Sequence, residues 1–353
     1  MKDRVLVALA GLGLTTVAVQ TAVTPPADAQ AAPATKATPP ARSTMPAPNA
    51  VDEGVLHVQV ILDKLGFTPG LLDGKRSEQL TAALKGFQES RDLPETGEID
   101  QPTLRALYPY RQWRPMKLAT LTPAMLAGPF LGAIPKDYEH MSQLPTLGYR
   151  SPLEKLAEMF HTSPATLVAL NSPETQLRAG TKIVVPNALP TSRAYDISDA
   201  TWRTTVAMLN VDAKQAAADH IVVDKSDGVL RVLDKDDKLV AQFNATMGSA
   251  EFPLPLGTWE IKGTAFNPDW KYDPKLIAGS KPGAKEAVVQ PGPNNPVGVV
   301  WIDLSKPHYG IHGTPEPQNI GLTESNGCIR LTNWDAARLA LMVKPGMKAV
   351  FQA

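Results

Sequence analysis

The chain has 353 residues, and its 35 Lys plus Arg are balanced by 35 Asp plus Glu, so no basic excess points to nucleic acid and no acidic tail is present. That length allows two or three domains. A single cysteine excludes an internal disulfide, and His57, His140, His161 and His220 stand without cysteine or carboxylate companions at ligand spacing, so no metal is expected, and no cofactor either.

At the start, Lys2 and Arg4 precede an apolar run from Val5 to Val23, and Ala27-Asp28-Ala29 forms a small-x-small cleavage site. This predicts a signal peptide over residues 1–29 and an exported protein of the periplasm or cell wall. Left uncleaved, the run is nearly long enough to anchor the chain, and only then is membrane contact expected. Thr15, Thr16, Gln20 and Thr21 weaken it as an anchor. Residues 30–50 are rich in Ala, Pro and Thr and read as a semi-extended linker.

From residue 51 helical spacing appears. Val55, Val58, Leu62 and Leu65 share one face, and Gly66 ends that helix. A second helix carries Leu80, Leu84 and Phe87. A third, with Leu104 and Leu107, opens on Asp100 and Pro102. With Leu65-Gly66-Phe67, Gly70, Asp73-Gly74, Thr81, Phe87-Gln88, Leu93, Thr96-Gly97, Asp100 and Thr103-Leu104, residues 51–108 resemble the three-helix peptidoglycan-binding domain. Where that family has a glycine and an aromatic after Asp-Gly, this chain has Lys75-Arg76-Ser77. A bundle without a ligand is the plain alternative.

Residues 109–145 are punctuated by proline and read as a connector. In residues 146–188, Leu153, Leu156, Ala157 and Phe160 line one helix, and Ser163-Pro164 starts another with Leu167 and Leu170. Ile183-Val184-Val185 is a strand stopped by Pro186. Together with Asn171, Leu177 and Gly180-Thr181, these residues resemble a LysM carbohydrate-binding module of α+β type, with Arg150-Ser151-Pro152 in place of its opening strand. A degenerate module that no longer binds glycan is the alternative. Residues 189–217 read as a helical linker, with Trp202, Val206 and Leu209 in a helix running from Thr201 to Asp219.

From residue 218 the pattern is mainly β. Short strands over Ile221–Val223, Val229–Leu233, Leu239–Ala245, Thr258–Lys262, Val299–Asp303, Tyr309–His312 and Lys348–Gln352 imply a sandwich or barrel-like domain to residue 353. One helix interrupts it. Thr332 and Asp335 form its capping box, Trp334, Ala337 and Leu341 its buried stripe, and Lys344-Pro345-Gly346 its end. The long stretch from Gly263 to Gly298, with Phe266, Trp270 and Tyr272, reads either as a lid over a substrate channel or as a packing insertion.

The chemistry concentrates between His308 and Leu331. His312 ends a strand, Cys328 precedes another, and the Pro- and Gly-punctuated loop between them can fold back to set the strand ends side by side. A free thiol is mostly protonated at neutral pH. A neighbouring histidine makes it a nucleophile and then returns the proton to a leaving amine. The Gly313 carbonyl is a candidate to orient the imidazole. Asn326, Gly327 and Cys328 offer backbone amides for an oxyanion. Arg330, facing away from Ile329 and Leu331, can clamp a substrate carboxylate, and Ser325, His308, Tyr309, Trp270 and Tyr272 are further candidate substrate contacts. His308 is the competing base, since on one strand it shares a face with His312. The opposing view is that Cys328 is an inert core thiol.

His312-Gly313-Thr314, a spacer, then Ser325-Asn326-Gly327-Cys328-Ile329-Arg330-Leu331, followed by Asn333, Asp335 and Leu339, resemble the YkuD-type L,D-transpeptidase catalytic domain. The family usually has a second histidine at the position of Asn326. The resemblance implies a thioacyl enzyme formed on Cys328 by attack on the third residue of a peptidoglycan stem tetrapeptide. It also implies release of D-Ala and transfer of the acyl group to an amine of another stem or of an outer-membrane protein. The partners are then stem peptides and glycan strands. The rival readings are an L,D-carboxypeptidase or endopeptidase that uses water, and a wall-binding protein without catalysis.

Overall fold

The computed structural model describes residues 51–353 except 276, 278, 279, 281 and 326. The expected signal peptide, the linker and Asn326 lie outside the described residues. No helix among those described is long and apolar enough to cross a membrane.

Three helices open the described chain: α1 (Glu53–Leu65), α2 (Glu78–Glu89) and α3 (Gln101–Leu107). Asp52, Ser77 and Asp100 cap them by accepting from backbone amides of the first turn. The expected stripe packs with Phe67, Leu80, Leu84, Phe87 and Leu107. α1 is buried more widely than one stripe, because Leu56 and Val60 on another side meet Leu72 and Ala188. A helix clasped on two sides shows only its larger apolar face as periodicity.

The connector holds more structure than its sequence suggests. Its strand β1 (Met116–Thr120) pairs antiparallel with β2 (Lys182–Pro186). Between them lie α4 (Tyr138–Met141), α5 (Pro152–Met159) and α6 (Pro164–Leu170). β1 carries no strand signal in sequence because both its faces are largely open, with Leu118 64% exposed, so pairing and not apolar alternation defines it.

Helix α7 (Ala200–Met208) stops well short of residue 219. Asn210 turns left-handed at φ 51°, a conformation that asparagine tolerates. Trp202, Val206 and Leu209 enter the core of the β domain, so this stretch is part of that core and not a free linker.

That domain is a single curled sheet of nine strands. In chain order they are β3 (His220–Asp224), β4 (Val229–Leu233), β5 (Leu239–Asn244), β6 (Thr246–Met247), β7 (Gly257–Phe266), then, after a separate hairpin of β8 (Trp270–Tyr272) and β9 (Ala287–Val289), β10 (Val300–Leu304), β11 (Gly310–His312), β12 (Ile329–Arg330) and β13 (Lys348–Gln352). The spatial order is β5-β4-β3-β13-β7-β10-β11-β12-β6. β5 and β6 are separated only by Ala245 yet occupy opposite edges. The sheet must therefore wrap almost into a barrel for one chain segment to serve both. The β8–β9 hairpin lies in the stretch read as a lid or insertion. Helix α8 (Asn333–Ala340) lays Trp334, Ala336, Ala337 and Leu339 into the core and ends several residues before Lys344.

The helical bundle docks on the outer edge of β5. Phe67 bridges Gln242, Thr68 N donates to Gln242 O and Gln242 N to Gly66 O, both at 2.9 Å. Arg231 and Glu89 pair beside this seam.

Candidate active site

Strand register brings the two candidate side chains, His312 and Cys328, to one face. β11 runs parallel to β12, with Ile311 opposite Ile329 and His312 opposite Arg330. Ile311 and Ile329 are wholly buried in the core. Period-two alternation then turns Gly310, His312, Cys328 and Arg330 to the other face. From strand spacing and rise, the Cα atoms of Cys328 and His312 are about 8 Å apart.

His312 is held on every side. Its Nδ1 meets Gly313 O at 2.7 Å. A carbonyl only accepts, so Nδ1 carries the proton and Nε2 keeps its lone pair. Its ring stacks on Trp301, 5.5 Å between centroids with the planes 16° apart, and Leu331 N donates to its backbone carbonyl at 2.8 Å. Burial, then the nearby Arg330 cation, push the imidazole down to about 3, against the Gly313 carbonyl. The ring is neutral across the physiological range.

Cys328 is half-buried and unbonded to any other sulfur. Burial pushes its thiol up, opposed by Gly310 and Arg330. Both shifts disfavour a preformed thiolate–imidazolium pair. The sulfur lies 3.8 Å from His308 O.

That contact changes the role expected for His308. The strand begins at Gly310, so parity does not extend to His308, which is exposed and left-handed at φ 65°. It meets Cys328 through its carbonyl, not its ring.

The turn before Cys328 is built by its neighbours. Ser325 Oγ donates to Cys328 O at 2.6 Å and accepts from Gly248 N at 2.7 Å. It is buried and braces the turn, which separates it from the substrate role expected of it. Gly327 has φ 94°, and a Cβ there would sit 2.7 Å from Tyr309 Cε1. Only glycine satisfies both demands. Arg330 points outward as expected and reaches Glu324 O at 3.4 Å.

Trp270 and Tyr272 stand on β8 and pack against Tyr138 of α4, with centroids 4.8 and 4.5 Å apart. The hairpin is thereby tied to the connector. Tyr138 offered no signal in sequence, because it lies in a short helix among prolines. Trp301 lies in an expected strand, but its pairing with His312 across the sheet has no signal in the sequence. Among the described residues no three His, Cys, Asp or Glu side chains converge as metal ligands.

Residues 218–351 match the family described as "L,D-transpeptidase catalytic domain", and residues 51–107 match the "Putative peptidoglycan binding domain". A protein of Fuscovulum blasticum, "Putative L,D-transpeptidase in ATP synthase subunits region ORF 5", is 31% identical over 165 residues, 44% of this chain and 83% of that protein. The chain belongs to the YkuD family of L,D-transpeptidases. Another member, "Putative L,D-transpeptidase YkuD" of Bacillus licheniformis, is 51% identical over 59 residues, 17% of this chain and 36% of that one. "Probable L,D-transpeptidase YbiS" of Escherichia coli K12 is 29% identical over 134 residues, 37% of this chain and 44% of that protein. The match to the Bacillus YkuD protein thus spans about a third of its length. The nine-stranded sheet, the His312–Cys328 face and α8 fall within the L,D-transpeptidase region or on its border, α7 precedes it, and the bundle docked on β5 is the peptidoglycan-binding domain.

Proposed function

We propose that the protein is an exported cell-wall L,D-transpeptidase acting through Cys328. The observation that carries this reading is the His312 imidazole, held by Gly313 O as the Nδ1–H tautomer on the same sheet face as the thiol. The reaction requires Cys328 Sγ to come within hydrogen-bond reach of His312 Nε2. The sulfur attacks the carbonyl carbon of the third residue of a stem tetrapeptide as its proton passes to Nε2. The bond to D-Ala breaks, Nε2–H protonates the leaving amine, and a thioester remains. An amine of a second stem, or of an outer-membrane protein, then attacks the thioester and the thiol regains its proton. Backbone amides of Asn326, Gly327 and Cys328 stabilise the oxyanion, and Arg330 attracts a substrate carboxylate. The peptidoglycan-binding domain and residues 146–188, read as a LysM-like module, hold the enzyme on the sacculus and raise its local concentration there.

Muropeptides bearing tetrapeptide stems, incubated with the protein and analysed by mass spectrometry, test this. Dimers joined between two third residues are the expected product. Tripeptides alone would mean water is the acceptor, and no release of D-Ala would overturn the catalytic reading.

A further inference from the structure

Helix α5 belongs to the β1–β2 unit, yet one of its side chains reaches the catalytic domain. Glu158 Oε1 accepts from Asn333 Nδ2 at 2.7 Å. The same nitrogen donates to Pro293 O at 3.1 Å. Both hydrogens being used, the amide has one orientation, with Oδ1 facing Val299 N at 3.2 Å.

Oδ1 is wedged against two glycines. A Cβ on Gly298 would lie 2.0 Å from it, and a Cβ on Gly313 would lie 2.1 Å from it. The Gly298 position would also lie 2.7 Å from Gly313 C. Asn333, Gly298 and Gly313 therefore form one close stack without slack. Gly313 is the residue whose carbonyl holds the His312 ring.

The carboxyl at this point is a costly choice. Glu158 is 7% exposed, and burial pushes it up to about 7 against hydrogen bonding from Tyr149 and Asn333. An apolar side chain of that size packs a helix interface at less cost. Packing alone does not account for Glu158, whereas its grip on Asn333 does.

We propose that Glu158 and Asn333 are positioning residues for His312: the accessory helix fixes, through the Asn333 amide, the Gly313 peptide that sets the tautomer and angle of the imidazole. The proposal rests on His312 being the base of the reaction above. It makes the β1–β2 unit part of the catalytic apparatus as well as a tether.

The full chain is tested as Glu158→Ala and Glu158→Gln. Acylation of Cys328 by a carbapenem, followed by intact mass, is expected to slow about 10- to 100-fold in Glu158→Ala through its first-order rate constant, with the concentration for half-saturation unchanged. Glu158→Gln keeps an oxygen that accepts from Asn333 and is expected to stay within about threefold of the parent. A second readout needs no turnover: NMR of 15N-labelled histidine reports the Nδ1–H tautomer of His312 in the parent and a mixture in Glu158→Ala. Two results overturn the proposal. One is a parental rate and tautomer in Glu158→Ala. The other is an equal loss in both variants that follows a drop in melting temperature. If the parent itself is never acylated, the proposed activity fails, and the tautomer comparison still decides this point.

Discussion

His161 and Trp334 stack face to face, with ring centroids 4.9 Å apart and planes 8° from parallel. His161 lies in the turn between α5 and α6, and Trp334 lies on α8. The same imidazole reaches Asp63 of α1 at 3.2 Å and Leu209 O, after α7, at 2.7 Å. Arg338 of α8 meets Asp63 at 3.5 Å. One buried ring thus joins four helices from three parts of the chain. His161→Ala leaves Asp63 short of a partner and opens a cavity against the indole. We expect a loss of about 3–5 kcal/mol, read as a lower denaturant midpoint.

Buried carboxyls make stability depend on pH in a defined direction. Burial raises Glu158 to about 7, and burial, offset by Arg338, raises Asp335 to about 6. Groups whose folded values lie above their ordinary ones bind protons more readily when folded, so stability falls as pH rises through those values. The melting temperature is expected to climb as pH drops from about 7 toward the ordinary carboxylate values of 4.5 and 3.8, and Glu158→Gln combined with Asp335→Asn should flatten that slope. Asp63 has the opposite sign. Burial alone would raise it, but His161 and Arg338 outweigh burial and hold it low, so its contribution is lost only in strong acid.

The neutral thiol–imidazole pair predicts an unusual rate profile. With His312 pushed down to about 3, the base stays unprotonated in mild acid. The acid limb of Cys328 acylation should lie near pH 3 and not near the ordinary histidine value, over the range where circular dichroism shows the protein folded. A limb near 6.5 would mean that the imidazole is more solvated than its burial implies.

Substitutions at the two histidines should separate cleanly. Cys328→Ala removes the covalent adduct. His312→Ala slows acylation by about 10²–10⁴. His308→Ala, which preserves the carbonyl facing Sγ, changes it by less than about threefold. Intact-mass time courses distinguish all three, and the reverse order for the histidines would exchange their roles.

Gly327→Ala tests the turn. It combines a left-handed φ with a contact against Tyr309, and the strain of about 1–3 kcal/mol falls on the loop carrying the thiol. Acylation should be lost while the melting temperature changes by only a few degrees.

Much of this was legible in sequence because local rules governed it. Ser163-Pro164, Asp100-Pro102 and Thr332 announced their helices, and Thr332 Oγ1 does accept from Asp335 N. That β11 and β12 lie side by side was visible because the segment between them needs only to fold back. What stayed hidden depends on partners distant in the chain. β1 is a strand because β2 lies beside it. His308 leaves the strand through a backbone angle that no side-chain pattern encodes. Glu158 looks like an ordinary surface residue of an amphipathic helix until Asn333, far along the chain, is packed against it.

The docking of Gly66, Phe67 and Thr68 along β5 bears on how this enzyme can be shortened. β5 is the outermost strand at one end of the sheet, and its apolar sequence Leu239–Asn244 is largely buried. The other end stops at the two residues of β6, too short to recruit a foreign strand. Removing the helical bundle would bare the backbone donors and acceptors of β5 as a template for strand addition. The fragment left behind would keep Cys328 and expose an edge open to self-association, an edge that the bundle covers in the full chain.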